Sequence, residues 1–280
     1  ADYYHHPIGE VFDTFCPPVL RKIIKTDTLM SAEETRYLAS EEDKVFELNE
    51  EQVDCLKEIK SLKGFDPCLL YGVTGSGKTE IYLQTSDSYL SKGYSILILV
   101  PEISLTPQLQ ERFMNRFGDN IGIYHSRQTP KQRFDLWQRA RNGDIKIVIG
   151  TRSAVLCPLY NLGLIIIDEE HDQSYKQHEG FRFSARDVSI KRAQVENIPI
   201  ILGTATPSLQ TLKLVEDKKY KQTNILQRAN GSNPPGFIIL DINDTKLESG
   251  IAKESLDAIE NTLNRNKQVL IFINRRGLSP

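Results

Sequence analysis

Eight consecutive residues, Gly72-Val73-Thr74-Gly75-Ser76-Gly77-Lys78-Thr79, restrict the fold of this chain more than any other feature. They match G-x-x-x-x-G-K-[ST] in full. The apolar run at 68–71 stands directly before them, and a helical pattern over 78–91 follows. Strand, glycine-rich loop and helix in that order are the context the motif needs. Its glycines let backbone N–H groups turn inward around phosphate oxygens, and the helix N-terminus adds a positive dipole end. Lys78 would reach the β- and γ-phosphates, and the Thr79 hydroxyl would hold Mg²⁺. The competing reading is a chance glycine-rich turn.

The surrounding pattern agrees with an α/β fold. A helix is predicted over 50–62. Strands are predicted at 68–71, 95–100, 121–124, 146–150, 164–167 and 198–202, with helices over 107–117, 130–142 and 184–195. Continuous apolar strands alternating with helices imply a parallel sheet covered on both faces. Residues 1–46 are irregular; a helix over 11–24 is interrupted by Pro17-Pro18, and Ser31 with Glu34 offers a further helix start. The stretch QRANGSNPPG at 227–236 reads as a linker. After it a new unit begins, with a strand over 237–242, a helix over 254–264 and a strand over 268–273. The expected domains are therefore 1–46, 47–228 and an incomplete 229–280.

Composition excludes several classes. Of 280 residues, 39% are hydrophobic and 26% charged, which is globular and not disordered. A net charge of -2 excludes a simple, strongly basic nucleic-acid binder, although a local basic groove remains compatible with it. Cys16, Cys55, Cys68 and Cys157 form no C-x-x-C pair and read as reduced thiols of a cytoplasmic protein, not as a zinc site. The apolar runs fall far short of the ~20 residues that span a bilayer. No secretory pattern opens the chain, so no membrane partner is expected.

Two further strings carry chemistry. Residues 164–167 are apolar and end in Asp168-Glu169-Glu170-His171. Carboxylates at the end of a buried strand suit a phosphoryl-transfer site, with Asp168 on Mg²⁺ and Glu169 orienting or deprotonating the attacking water. The bland alternative is a solvated acidic strand end. Gly203-Thr204-Ala205-Thr206-Pro207 follows another apolar strand. Thr204 and Thr206 could sense a γ-phosphate, or the string could be an ordinary turn.

Taken in order, GVTGSGKT, DEEH and GTAT resemble the superfamily-two helicases. VPEISLTPQ at 100–108, GTRSA at 150–154, the long string DEEHDQSYKQHEGFRFSARD at 168–187, NRRGLSP at 274–280 and YYHHPIGEV near the start resemble the primosomal replication-restart helicases within them. The likeness covers residues 1–16 and about 48–280, and the long string is its most specific part. It implies a RecA-like parallel sheet flanked by helices and the start of a second RecA-like lobe. It also implies ATP-driven 3′-to-5′ unwinding at stalled forks, with forked and single-stranded DNA, primosome proteins and single-strand binding protein as partners. Carried onto this sequence, Gln52 matches the position that reads adenine, His171 the one that couples the ATP site to DNA, and Arg152 a phosphate contact. A helix-surface glutamine and a surface arginine are the alternatives.

The segment 175–183 combines Tyr175, Phe181 and Phe183 with Lys176 and Arg182, and Gly180 allows a tight turn. Aromatics can stack on exposed bases while the basic residues meet phosphates. The resemblance makes it the loop that couples DNA to hydrolysis; the alternative is rings packed onto their own domain. The sequence departs from the family in two ways. Only about 30 residues separate the YYHHP segment from the core, too few for the family's winged-helix domain. Its cysteine-rich zinc region and last helicase motifs are also not in this sequence, so a longer parent chain is expected. Two other functions compete: a fragment that binds nucleotide and DNA without unwinding, and a P-loop enzyme, such as a small-molecule kinase, that never touches nucleic acid.

Overall fold

Strand backbones need neighbours, and the apolar runs find them in one sheet. A computed structural model of the chain describes residues 6–21, 46–229, 231, 236–243, 247–248 and 250–272. The predicted helix start at Ser31 and the string at 274–280 lie outside them. The chain separates into two units, Ala1–Ser232 and Asn233–Pro280.

The first unit opens with α1 (Ile8–Phe15), which ends ahead of Pro17, as the restriction on residues preceding proline requires. It continues through α2 (Glu50–Ser61), β1 (Pro67–Gly72), α3 (Lys78–Leu90), β2 (Ser95–Leu99) and α4 (Pro107–Phe117). Then come β3 (Ile121–Tyr124), α5 (Pro130–Asn142), β4 (Ile147–Gly150), β5 (Leu162–Asp168) and α6 (Ala185–Glu196). Last are β6 (Ile200–Thr204), α7 (Leu209–Glu216) and β7 (Lys221–Ile225). The seven strands form one parallel sheet in the order β3-β4-β2-β5-β6-β1-β7.

Period-two alternation divides the core between the two faces. Ile96, Ile98, Leu70 and Ile166 enter one cluster with α2 and α3. Leu97, Leu99, Ile165 and Ile167 enter the other, against which Val11 of α1 also packs. Most helices start on side-chain caps: Asn49 and Thr129 form capping boxes with Gln52 and Gln132, and Thr106 and Ser184 cap α4 and α6. By contrast, α3 starts at Gly77 with no side-chain cap among the described residues, so its first N–H groups face the site.

From residue 50 onward the predicted strands and helices of this unit are present, and α7 and β7 are additional; the helix predicted over 11–24 is instead α1 at Ile8–Phe15 followed by a 3-10 turn at Pro18–Arg21. β7 reads KQTNI, of which only Thr223 and Ile225 are buried, so a search for continuous apolar runs passes over it. In the second unit the helix is α8 (Lys253–Asn264), preceded by the two-residue strands β8 (Leu247–Glu248) and β9 (Ile251–Ala252). The strands predicted over 237–242 and 268–273 are not formed in the described residues. Ile238 and Ile239 are 89% and 93% exposed. Among the described residues these apolar runs have no partner strand that could take their backbone hydrogen bonds.

Candidate active site

Strands β5, β6 and β1 are adjacent in the sheet, and the three chemical strings leave their carboxyl ends. Asp168 stands level with Gly203, and Tyr71 level with Thr204. Sheet order alone therefore brings residues 72–79, 168–171 and 203–206 together, at the strand ends where open α/β sheets bind ligands.

Gly75 and Gly77 adopt φ values of +78° and +87°, where a side chain would be strained. A Cβ on Gly72 would come within 2.6 Å of Ser76 Oγ. The loop closes through Ser76 N–H to Val73 O at 3.0 Å. Lys78 Nζ donates to Gly72 O at 2.9 Å and lies 3.6 Å from Glu169 Oε1. Gln52 is buried, and both ends of its carboxamide are engaged: Oε1 accepts from Asn49 N–H at 2.9 Å and Nε2 donates to Ser76 O at 2.8 Å. Gln52 thus braces the glycine-rich loop. Ala229 N–H donates to Gly75 O at 2.9 Å.

The loop floors a cavity of about 700 Å³ lined by Phe46, Gln52, residues 74–80, Arg112, Asp168 and Glu169. Arg112 stands 5.8 Å over the Phe46 ring. Glu80, buried in the first turn of α3, pairs with Arg112 and Arg116, each at 3.1 Å. The sequence reading missed Phe46, Glu80 and Arg112. The signal available for Glu80 is its place two residues after Lys78, facing into the fold.

Glu169 has φ +45°, an unfavourable conformation for a residue that carries a Cβ and one that recurs at functional sites. It turns the chain so that Glu169 meets the GTAT loop. Thr204 Oγ1 donates to Glu169 Oε2 at 3.2 Å, His171 Nδ1 lies 2.8 Å from Thr204 Oγ1, and Thr206 Oγ1 is 3.3 Å from His171 Nε2. Lys78, Glu169, Thr204, His171 and Thr206 are therefore joined in one polar chain. Burial pushes the Asp168 carboxyl above the usual carboxylate range, while hydrogen bonding from Tyr82 and the charge of Lys78 pull it down. Tyr82 OH donates to Asp168 Oδ1 at 2.8 Å.

The remaining acid of the string, Glu170, is structural. Its carboxylate accepts from Arg186 Nε at 2.6 Å, Thr211 Oγ1 at 3.0 Å and Ser208 N–H at 2.7 Å. It ties β5 to α6 and to the start of α7. The residues present fit a hydrated Mg²⁺ on a phosphate chain, which takes few protein ligands. Thr79 and Asp168 line the same cavity, and Ser76 Oγ is buried without a hydrogen-bond partner among the described residues. Among those residues no group of three or more His, Cys, Asp or Glu side chains comes together to hold a metal such as zinc.

The segment 175–183 differs from its expectation. Tyr175, Phe181 and Phe183 are 2%, 6% and 5% exposed and belong to the second core cluster. Phe181 stacks on Phe183 with centroids 5.4 Å apart, and His6 meets Phe181 edge-on at 5.0 Å. In this arrangement the rings have no free faces for bases. The reason is local: Gln177 N–H donates to Phe183 O, Lys176 pairs with Ser184, and Gly180 turns at φ +60°. In a tight hairpin, residues alternate sides, so Phe181 and Phe183 point inward and Arg182 outward. Lys176 and Arg182 are exposed. Arg152, expected at a phosphate, donates to Ser174 O at 3.2 Å and Lys176 O at 2.8 Å, clamping the hairpin. Tyr175 OH donates to Asp168 O at 2.6 Å and Leu99 O at 3.1 Å, linking the hairpin to β5.

The family described as DEAD/DEAH box helicase matches residues 49–215. The chain belongs to the DEAD/DEAH box helicase family. Within it, the chain is similar to the replication restart protein PriA of Haemophilus influenzae, 45% identical over 233 residues, covering 83% of this chain and 32% of that protein. It is similar to PriA of Bacillus subtilis at 37% over 273 residues, covering 93% of this chain and 34% of the other. This DEAD/DEAH box helicase chain thus spans about a third of the length of the curated relatives it matches. A solved structure, the helicase MrfA bound to DNA, superposes with a TM-score of 0.50 at 18% identity, covering 77% of this chain and 32% of that one. That likeness supports the fold alone, a RecA-like parallel sheet. No helix among the described residues is long and apolar enough to cross a membrane.

Proposed function

We propose that this chain carries the nucleotide-hydrolysing part of a cytoplasmic replication-restart helicase that unwinds DNA 3′-to-5′ at stalled forks. The observation that carries the reading is the polar chain from Lys78 through Glu169 and Thr204 to His171 and Thr206. It joins the lysine that would bind phosphate to the loop at 203–206. Lys78 would exchange Gly72 O and Glu169 for the β- and γ-phosphate oxygens of ATP, which releases Glu169 to take the proton of the attacking water. Thr204, in contact with Glu169 and His171, would report loss of the γ-phosphate. Mg²⁺, held by Thr79 and Asp168, would offset phosphate charge.

Tyr175 OH bound to the Asp168 carbonyl connects this site to the hairpin on which Lys176 and Arg182 are exposed. Those two residues would meet DNA phosphates, with the buried rings as their rigid support. DNA is the proposed partner, a reading that the likeness to replication restart proteins supports; primosome proteins and single-strand binding protein are proposed with it. A second reading is nucleotide and DNA binding without unwinding. Measuring ATP hydrolysis with and without forked or single-stranded DNA, and strand separation, on one preparation decides between them. DNA-stimulated hydrolysis with strand separation is the expected result. Binding and stimulation without separation supports the second reading, and hydrolysis indifferent to DNA overturns both.

A further inference from the structure

Tyr82 lies one helical turn beyond Lys78 on α3 and is 2% exposed. The surrounding core would accept a phenylalanine ring equally well, so the hydroxyl needs its own explanation. It donates to Asp168 Oδ1 at 2.8 Å. It also sits where the neighbouring strand has no side chain. Gly203 of β6 stands level with Asp168, and a Cβ there would lie 1.8 Å from Tyr82 Oη. Gly203 has no need of a left-handed backbone, because its φ is not among the positive ones. The space above its Cα is what the glycine supplies.

We propose that Tyr82 is a positioning residue for the carboxylate of Asp168, and that position 203 is glycine because the Tyr82 hydroxyl occupies the room a side chain would take. The proposal rests on the reading that Asp168 holds Mg²⁺. A carboxylate at a strand end can rotate about its side-chain torsions. The bond from Tyr82, together with that from the Glu169 backbone, holds it in one orientation. Partners one step removed from a metal commonly change its affinity by 10–100-fold. The device also ties the helix that carries Lys78 to β5 and β6, so three motifs meet at one hydroxyl.

The test is fluorescent ADP binding to the full chain, titrated with Mg²⁺ and repeated in EDTA. Tyr82→Phe is expected to raise the Mg²⁺ concentration giving half-maximal tightening by about 10-fold or more, with affinity in EDTA and the melting temperature unchanged. Gly203→Ala is expected to produce a comparable loss, because its methyl group displaces the hydroxyl. Added to Tyr82→Phe it should cost less than it does alone, since the atom struck at 1.8 Å is gone and only the tight approach to the ring Cζ at 3.0 Å remains. An unchanged Mg²⁺ response in Tyr82→Phe, where Asp168→Asn loses it, overturns the proposal alone. A full additive loss in the double variant overturns the account of Gly203. If the unaltered chain binds ADP with no Mg²⁺ response, the reading of Asp168 fails and the proposal fails with it.

Discussion

The glycine-rich loop at 72–79 and the hairpin at 175–183 both read from the sequence as surfaces that face a ligand, and only the first opens onto a cavity. In the loop, the glycines at positive φ and the inward-turned Lys78 leave a cavity of about 700 Å³ above them. In the hairpin, the three rings are core while Lys176 and Arg182 face outward. The difference lies in what each pattern specifies. Strict glycine spacing fixes backbone geometry, and backbone geometry is what binds phosphate. A mixture of aromatic and basic residues fixes composition but leaves open which group points where.

Removing the charge at the centre of the loop should have the largest effect. Lys78→Ala is expected to leave no measurable ATP hydrolysis in a phosphate-release assay, with the fold intact by circular dichroism. Glu169→Gln should come next: the amide cannot accept the water's proton, so turnover should fall by about 10²–10⁴-fold while nucleotide affinity is kept. Equal loss of affinity and turnover would make Glu169 structural, like Glu170.

The hairpin should respond to ring removal in stability. Phe181→Ala or Phe183→Ala should each cost about 3–5 kcal/mol, a fall of roughly 6–20 °C in melting temperature. Unchanged melting with lost DNA binding would restore the base-stacking reading and erase the contrast. The smallest effect belongs to its exposed charges. Lys176→Ala and Arg182→Ala should move stability by no more than about 0.5 kcal/mol. Each should weaken DNA binding across all sequences and lower the slope of log affinity against log salt by about one.

Legibility followed the same division. The sheet and its helices were readable because buried parallel strands are continuous apolar runs, and Pro107, Thr129 and Gly143 mark helix ends in the sequence itself. Edge strand β7 was not, because only Thr223 and Ile225 of its five residues are buried. Lys78, Glu169, Thr204, His171 and Thr206 do converge. Gln52 and Arg152 have backbone partners that no linear pattern reveals, Ser76 O for the first and the carbonyls of Ser174 and Lys176 for the second. The inward turn of Phe181 and Phe183 was available in principle, since F-R-F alternates as a hairpin strand does. Tyr82 gave a weaker signal, its place four residues after Lys78 on the same helix face. Phe46 and Arg112 meet across the cavity from distant parts of the chain, so spacing carried no sign of them.

The claim that residues 72–79 with Asp168 and Glu169 form a nucleotide site is tested most directly by titrating the chain with a fluorescent ATP analogue in Mg²⁺. Saturable binding that Lys78→Ala weakens severely is the predicted result. Absence of binding, or equal affinity in the two proteins, would contradict it.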